Sequence, residues 1–287
     1  MEKQNGPAIE PVEKEMGDVK HKKKWLLMGL VFILAAALFA GCGKSKETDT
    51  TEKSTLDKIK KRGELVVGVK YDTYLFGYKD PKTGKVEGFD VDIAKALAKK
   101  IFGDEKKVKL VEVTSKTRIP MLQNGQIDAI IATMTITDER KKQVNFSDVY
   151  FDAGQSLLVK KGSPIKSVKD LKKGTKVLAV KGATSGDNVK AKAPDAQVLE
   201  FENYAEAFTA LKSGKGDALT TDNSILYGMA AQDPNYEVVG GTFTNEPYGI
   251  AVRKGDEKFT KYINSFLKEL KESGEYDRIK KKWIKQQ

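Results

Sequence analysis

Two doubly wound α/β halves, each a sheet with flanking helices, are the fold that this 287-residue sequence predicts. Short β-rich runs alternate with amphipathic helical stretches, which is the pattern of parallel sheets covered by helices. One eight-residue unit occurs once in each half, and the length suits about two domains of roughly 150 residues each. We therefore expect two similar sheets in one chain.

The first half is predicted to have three strands with helices between them. The run Glu64–Lys70 is apolar almost throughout, as in a strand buried in a parallel sheet. Apolar residues then recur on one helical stripe over 90–102, and Gly103 ends this helix. The remaining elements alternate in type: a strand over 108–113, a helix over 117–124 and a strand over 129–134.

The second half, from about residue 160 to residue 240, repeats this alternation of strands and helices. The elements expected there are strands over 176–180, 197–201, 218–221 and 236–239, and helices over 204–211 and 224–230. The tail over 256–284 is predicted to be helical, with its charges on one face.

The eight-residue unit has the spacing Leu-x-x-Gly-x-x-Asp-Ala and occurs at Leu122–Ala129 and Leu211–Ala218. Each copy predicts a helix, a glycine that ends it, a short turn and a strand. Five residues past each aspartate stands a polar residue, Thr133 or Asp222. Because open α/β sheets bind ligands outside the carboxyl ends of their strands, both residues should face one cleft. The alternative for Asp222 is a helix N-cap, and it could serve in both roles.

A single cysteine, Cys42, and a single histidine, His21, exclude much of enzyme chemistry. One cysteine forms no intrachain disulfide and no multi-cysteine metal site. One histidine leaves no Ser-His-Asp triad unless His21 itself serves, and we expect no metal and no cofactor. The net charge is +11, but lysines stand beside acids, as in Asp104–Lys107. This mixture indicates a solvated surface rather than a nucleic-acid interface.

The N-terminus has the pattern of a secretory signal. Basic residues 20–24 precede the uncharged run Trp25–Ala40, whose helical length of about 24 Å is short of a roughly 30 Å bilayer core. Leu38–Cys42 resembles a bacterial lipobox, in which the cysteine is acylated, although Phe39 stands where an aliphatic residue is usual. We expect a signal peptide over 1–41 and a lipidated Cys42 that begins a flexible tether over 42–55. The alternatives left open are a free cysteine in a signal anchor and a true start at Met16.

The run from Thr133 to Arg140 carries hydroxyls and a cation that could hold an anion. Thr133 and Thr135 face the same side of an extended stretch. Asp138 is expected to be an N-cap, which places Arg140 in the first turn of a helix, where a cation opposes the helix dipole. An anionic partner such as a carboxylate would explain this placement. The alternative is a surface arginine paired with a neighbouring acid.

Two further cations stand at the cleft edge of the predicted first sheet. Lys70 closes the first strand and Arg118 opens the helix after the second strand. With Asp222 across the cleft, these charges suit an amino acid whose carboxylate meets Arg140 and whose ammonium meets Asp222, its side chain lying near Lys70 and Arg118. Buried cations without anions are costly, so the ligand should carry negative charge or a strong dipole. The alternative for Lys70 is a surface side chain whose ammonium reaches water.

The chain resembles the extracytoplasmic polar amino-acid-binding proteins of ABC importers, the solute-binding proteins of family 3. The resemblance covers about residues 55–285, and the segments that carry it are 88–94, 132–140, 144–151, 217–218 and 248–251. It implies the type II periplasmic-binding fold, with two lobes and two hinge strands. The lobes would be 56–155 plus 246–287 and 156–245, with hinges near 155–158 and 246–248. It also implies a monomer, anchored outside the cell by its lipid, that closes on an amino acid and docks on an ABC permease and ATPase complex.

Within that family, Gly68–Asp72 and Lys116–Pro120 resemble the glutamate/aspartate-binding branch. The branch implies that Lys70 and Arg118 hold a side-chain carboxylate. The resemblance also implies roles in holding the ligand's α-carboxylate or ammonium, and the residues concerned are Arg140, Thr135 and Thr184 for the carboxylate and Asp222 for the ammonium. The absence of an aromatic residue at Ser115 fits this branch. Glutamine stays open, because its amide oxygen accepts hydrogen bonds from the same donors.

Two other functional classes compete with the transport interpretation. An enzyme on the same scaffold, similar to a dehydratase, could use Asp222 or Glu112 as a base, but no pair of acids has a recognisable spacing. A lipid-anchored adhesin or ligand sensor would also suit a binding cleft. We expect a binding protein and not an enzyme.

Overall fold

The computed structural model describes residues 54–284, which form an α/β protein with two five-stranded sheets and a short antiparallel sheet of three strands. The strands in chain order are β1 (Leu65–Val69), β2 (Asp72–Thr73), β3 (Gly77–Lys79), β4 (Val86–Glu87), β5 (Val108–Glu112), β6 (Ala129–Ile130), β7 (Val144–Ala153), β8 (Gln155–Lys160), β9 (Lys176–Val180), β10 (Gln197–Phe201), β11 (Ala218–Asp222), β12 (Tyr236–Val239) and β13 (Glu246–Arg253). The short sheet has the order β2-β3-β4. The predicted signal peptide, His21, Cys42 and most of the predicted tether lie outside the described residues.

Helices flank both five-stranded sheets and close the chain. They are α1 (Thr55–Arg62), α2 (Phe89–Phe102), α3 (Arg118–Gln123), α4 (Asp138–Lys141), α5 (Ser185–Lys192), α6 (Tyr204–Lys212), α7 (Asn223–Gln232), α8 (Glu257–Glu272) and α9 (Glu275–Trp283), with a short 3-10 turn over Val168–Asp170. None of the helices described in residues 54–284 has the length and apolar composition needed to cross a bilayer.

The two five-stranded sheets have matching strand orders. The first is β5-β1-β6-β13-β7 and the second is β10-β9-β11-β8-β12, so β6 and β11 hold the same central place. In each sheet the first three strands are parallel and the fourth runs antiparallel to them. We call the parts built on them the first lobe and the second lobe. The chain passes between the lobes at Gly154, between β7 and β8, and again between β12 and β13.

The repeated sequence unit is also a structural repeat. The backbone N–H of Asp128 donates to the Val66 carbonyl at 2.7 Å, and its carboxylate accepts from the Val66 N–H at 2.8 Å. Asp217 makes the same two bonds to Lys176, at 2.8 and 2.7 Å. Each aspartate therefore sets the register of the central strand against its parallel neighbour, which explains why both copies end in Asp-Ala.

Three predicted elements differ from the structure for identifiable reasons. The strand expected over 129–134 ends at Ile130, because Thr133 has a left-handed backbone with φ of 45°. The tail is two helices rather than one, since Gly274 at φ of 72° separates α8 from α9. Thr55, the last residue of the expected tether, is instead the first residue of helix α1, which Ser54 caps.

An aromatic cluster forms the part of the first-lobe core that lies nearest the cleft. Phe76, Phe89, Tyr150, Phe151 and Tyr248 pack with ring centroids 5.2 to 6.2 Å apart. Edge-to-face and offset pairs of this kind stabilise a core beyond the area that they bury. Because Tyr248 also reaches an acid of the second lobe, this rigid cluster supports the site described next.

Candidate functional site

The structure brings all seven predicted site residues to one cleft between the lobes. Lys70 directly follows β1 and Thr133 lies just beyond β6, while Asp222 is the last residue of β11. The others lie on the adjoining segments: Arg118 at the start of α3, Thr135 and Arg140 before and within α4, and Thr184 after β9. The carboxyl ends of parallel strands from both sheets thus meet here, as expected for an open α/β sheet.

Hydrogen bonds cross the cleft and hold the lobes together. The guanidinium of Arg140 donates to the Thr135 carbonyl at 2.8 Å and to the Gly182 carbonyl of the second lobe at 2.9 Å. The N–H of Tyr204 at the start of α6 donates to the Asp72 carboxylate of the first lobe at 2.7 Å. Because these bonds need both lobes in contact, the structure is a closed conformation.

Arg140 is a buried cleft residue and not a surface arginine. The expected N-cap Asp138 is wrong, because Thr137 precedes the helix and its hydroxyl accepts from the Arg140 N–H at 3.2 Å. The acids that could have paired with Arg140 on the surface, Asp138 and Glu139, instead bond Lys141 and Lys142. Burial lowers the pKa of Arg140 from its usual value, so an anion beside it would be bound strongly.

Lys70 is completely buried, which rules out the surface alternative. Its ammonium donates to the Ser115 hydroxyl at 2.8 Å and lies 5.0 Å from the centroid of the Tyr204 ring. Burial lowers the pKa of Lys70 to about 7, and the nearby Asp72 carboxylate opposes that shift. The ammonium therefore contacts both lobes, since Ser115 belongs to the first lobe and Tyr204 to the second.

Asp222 occupies the N-cap position of α7, but within the described chain its side chain makes no capping bond there. One carboxylate oxygen accepts from the Tyr248 hydroxyl at 2.5 Å, and the other has no partner among residues 54–284. Burial raises the pKa of Asp222 to about 7, and the neighbouring Glu246 carboxylate raises it further. A cation that reached the unpartnered oxygen would stabilise the charged form.

Thr184 is already bonded within the protein. Its hydroxyl donates to Glu246 at 2.8 Å and accepts from the Gln155 amide at 2.9 Å. Asn188 of α5 donates to the other Glu246 oxygen at 3.0 Å. Glu246 stands where the chain re-enters the first lobe, so this network joins the second lobe to a crossing segment. The ligand role of Thr184 stays a prediction.

The hydroxyl of Thr133 has no hydrogen-bond partner within residues 54–284, and the backbone of this residue is strained. Its N–H donates to Asp90 at 2.9 Å, and Arg118 donates to the carbonyls of Ala132 and Thr133 at 2.7 and 3.4 Å. Burial lowers the pKa of Arg118 to about 9, and the like charge of Arg140 adds to the shift. Arg118 thus contacts backbone here, and its predicted contact with a ligand side chain stays a prediction.

Buried polar atoms without partners concentrate around this cleft. Six such side-chain atoms occur among residues 54–284, and all lie on segments that border it: Arg118 Nε, Thr133 Oγ1, Gln155 Oε1, Ser185 Oγ, Asp222 Oδ1 and Ser224 Oγ. Each unsatisfied buried group costs about 1–3 kcal/mol. A cluster drawn from both lobes indicates a site built to bind a polar molecule.

The structure adds acids that sequence analysis did not assign to the site. Asp90 and Glu246 are buried beside the cations, and Asp72 is half-buried at the cleft edge. The signal for Asp90 was an acid on the apolar stripe of α2, since positions 90, 94 and 97 share one face. Glu246 gave no comparable signal, because its partners Thr184 and Asn188 are about sixty residues away in sequence. Within the cleft, three buried acids, Asp90, Asp222 and Glu246, face three buried cations, Lys70, Arg118 and Arg140, and Asp72 adds a half-buried acid.

Within residues 54–284, no group of three or more His, Cys, Asp or Glu side chains is placed to hold a metal ion. The unpartnered polar atoms and the charged side chains of the cleft suit a polar organic ligand.

The model of the bacterial extracellular solute-binding proteins, family 3, matches residues 65–286. The chain belongs to this family. It is 63% identical over 268 residues to the ABC transporter glutamine-binding protein of Bacillus subtilis strain 168, covering 92% of this chain and 98% of that protein. It is 35% identical over 265 residues to the glutamate/aspartate import solute-binding protein of Escherichia coli strain K12, covering 88% and 87%.

A solved structure agrees with these sequence relatives. An ancestral arginine-binding protein bound to glutamine superimposes with a TM-score of 0.73 at 50% identity, covering 78% of this chain and 98% of that one. The two-lobe α/β fold and the resemblance inferred from sequence are thus confirmed. This family member is an extracellular solute-binding protein.

Proposed function

We propose that this solute-binding protein is the glutamine-binding component of an ABC importer. The observation that carries the proposal is the balance of charge in the cleft, where three buried cations face three buried carboxyl groups and the half-buried Asp72. A zwitterion with a neutral side chain leaves that balance unchanged, whereas glutamate would add a negative charge next to Asp72, Asp90 and Glu246. The 63% identity to a protein named as glutamine-binding supports the same choice.

The contacts of the closed cleft suggest how glutamine would be held. Its α-carboxylate would accept from Arg140, with hydroxyls of Thr135 and Thr184 nearby, and its ammonium would bond the free oxygen of Asp222. The side-chain amide oxygen would accept from Lys70 or Arg118, both of which are donors in any charge state. Thr133 would contribute its unpartnered hydroxyl to the same ligand.

Transport would follow from closure rather than from chemistry. Glutamine bonded to residues of both lobes would favour the closed state, with motion about the chain crossings near Gly154 and between β12 and β13. The closed monomer would then dock on a permease and ATPase complex. We further propose that a lipid on Cys42, which lies outside the described residues, holds the protein at the cell surface. Acylation at Cys42 would be seen by mass spectrometry and lost in Cys42→Ser.

Glutamate or aspartate is the second candidate, favoured by the two buried cations Lys70 and Arg118 in the side-chain part of the cleft. Calorimetric titration of the purified protein, unfolded and refolded to remove carried-over ligand, separates the candidates. We expect tight glutamine and at least tenfold weaker glutamate and aspartate. Tight glutamate with weak glutamine would overturn the proposal. Recovery of unchanged glutamine after long incubation would support binding without turnover.

A further inference from the structure

We infer that Asp90 is a positioning residue of the ligand cleft, which holds Thr133 in the backbone conformation that turns its hydroxyl towards the ligand. The inference rests on the proposed function only in taking this cleft as the site of amino-acid binding. Asp90 lies in the first turn of helix α2, 43 residues before Thr133 in sequence.

Thr133 needs an external restraint because its own conformation is unfavourable. Its φ of 45° lies in the left-handed region, which a β-branched side chain rarely adopts. Such conformations persist only where surrounding contacts enforce them, and they concentrate at functional sites. The strain here coincides with a buried hydroxyl that has no partner among residues 54–284.

Asp90 and Arg118 hydrogen-bond opposite sides of the peptide group between Ala132 and Thr133. The Asp90 carboxylate accepts from the Thr133 N–H at 2.9 Å, while the Arg118 guanidinium donates to the Ala132 carbonyl at 2.7 Å. Burial raises the pKa of Asp90 to about 7. The hydrogen bonds from Tyr150 and Thr133 and the nearby charge of Arg118 oppose that rise by favouring the carboxylate. The two hydrogen bonds to this peptide group explain why the strand ends at Ile130 and why Thr133 turns towards the cleft.

Both carboxylate oxygens of Asp90 are occupied within the protein, so Asp90 acts on the ligand only through Thr133. The second oxygen accepts from the Tyr150 hydroxyl at 2.9 Å, and Asp90 is completely buried. Its place in the first turn of α2 adds a favourable interaction with the helix dipole. Asp90 is thus fixed on two sides before it meets Thr133.

A matched control, Asp128, lies in the same lobe, directly before β6. Asp128 is also buried and also accepts from a backbone N–H, that of Val66, but it lies at the end of the sheet away from the cleft. Asp90→Asn and Asp128→Asn therefore remove similar charge-assisted bonds in one lobe. A purely structural role for Asp90 would give the two variants similar consequences.

Calorimetric titration of glutamine tests the inference with a double-mutant cycle. We expect Asp90→Asn to weaken binding about tenfold and Asp128→Asn to change it less than twofold. Thr133→Gly removes the hydroxyl and also tolerates positive φ, so Asp90→Asn should cause little further loss in the Thr133→Gly background. Full-strength binding by folded Asp90→Asn, or losses that multiply independently, would overturn the inference.

Thermal unfolding of the ligand-free protein gives a second, ligand-independent measurement. Asp90→Asn should lower Tm by several degrees in the Thr133 background and by clearly less in the Thr133→Gly background. Equal decreases in both would contradict a role in holding Thr133. If wild type fails to bind glutamine, the proposed function fails while this comparison still decides the role of Asp90. If Asp90→Asn does not fold, Tyr150→Phe, which removes one Asp90 bond, replaces it in both measurements.

Discussion

Asp222 combines two features that rarely occur in one buried carboxylate. One oxygen is fixed by the Tyr248 hydroxyl, and the other is free among the described residues although it is buried. The bond from Tyr248 fixes the orientation of the carboxylate, and its second oxygen can pair with a cation. This arrangement suits an α-ammonium, which is common to all amino acids.

Replacement of Asp222 by asparagine should therefore weaken the binding of every amino acid that the protein recognises. The variant keeps the size of the side chain but loses the charge that the ligand ammonium meets. Losing one partner of a buried, hydrogen-bonded charge pair costs about 2–5 kcal/mol, so we expect about 100-fold weaker glutamine. Asp187→Asn, at an exposed second-lobe acid, is the matched control. Calorimetry that showed equal Kd values for both variants would contradict this role.

The raised pKa of Asp222 also predicts a pH dependence of binding. Its pKa is about 7 in the ligand-free cleft, where burial is the main cause, Glu246 adds to it, and Arg140 and Arg118 oppose it. A protonated carboxyl cannot pair with an ammonium, so the affinity for glutamine should fall as the pH drops below 7. The limit is about tenfold per pH unit.

Titrations at pH 5.5, 6.5 and 8 would check this dependence. Lys70, whose pKa is also about 7, gains charge as the pH falls and therefore acts in the opposite direction on a ligand oxygen. The dependence should be clearly smaller in Asp222→Asn. A steep loss of affinity below pH 7 that persists unchanged in that variant would assign it to another group.

The loop after β9 brings the backbones of the two lobes close together. Gly182 has φ of 76°, and a Cβ placed on it would lie 2.8 Å from the Lys116 backbone of the first lobe. Its carbonyl also accepts from Arg140. Glycine is needed here for its conformation and for the close approach of two backbones.

Gly182→Ala should weaken glutamine binding about tenfold or more, because the added methyl obstructs closure. Gly174→Ala is a matched control, since Gly174 also has positive φ, 92°, but has open space at its Cβ position. Both variants should lose similar stability, about 1 kcal/mol, from the backbone conformation. Calorimetry should show the loss of affinity in Gly182→Ala alone, and small-angle scattering should show less compaction on adding glutamine. Similar affinities of the two variants would contradict an obstruction of closure.

The elements that sequence analysis predicted well are those fixed by local patterns. The strands over 176–180 and 197–201 have the bounds expected from their apolar runs, and the repeat located β6 and β11 correctly. The prediction that the strand continues to residue 134 was wrong, because hydrogen bonds from Asp90 and Arg118, which are distant in sequence, bend the chain. The short β2–β4 sheet also went unassigned, since its three strands have only two or three residues each.

In the whole molecule and its site, too, local sequence patterns predicted some features, while contacts distant in sequence determined the others. The strand-end rule and the family resemblance identified the residues that the structure gathers in the cleft. The sequence alone nevertheless predicted a cleft with one acid, Asp222, and three cations, and this excess of positive charge favoured an acidic ligand. The structure corrects the charge count, because Asp90 and Glu246 join the cleft through tertiary contacts that no local pattern encodes.

That charge count makes ligand selectivity a property of the whole cleft and gives a final prediction. Glu246→Gln removes one buried negative charge while keeping a side chain that can still accept from Asn188 or Thr184. Damage to lobe closure should weaken the binding of glutamine and of glutamate equally. The ratio of their Kd values therefore isolates the effect of removing the Glu246 charge. We expect the preference for glutamine to fall about tenfold, equivalent to about 1.4 kcal/mol. The exposed acid Glu272 gives the control variant Glu272→Gln, which should leave the ratio unchanged. If competition calorimetry gave the same ratio for wild type and Glu246→Gln, selectivity would have to come from local contacts of the ligand side chain instead of from the balance of buried charges.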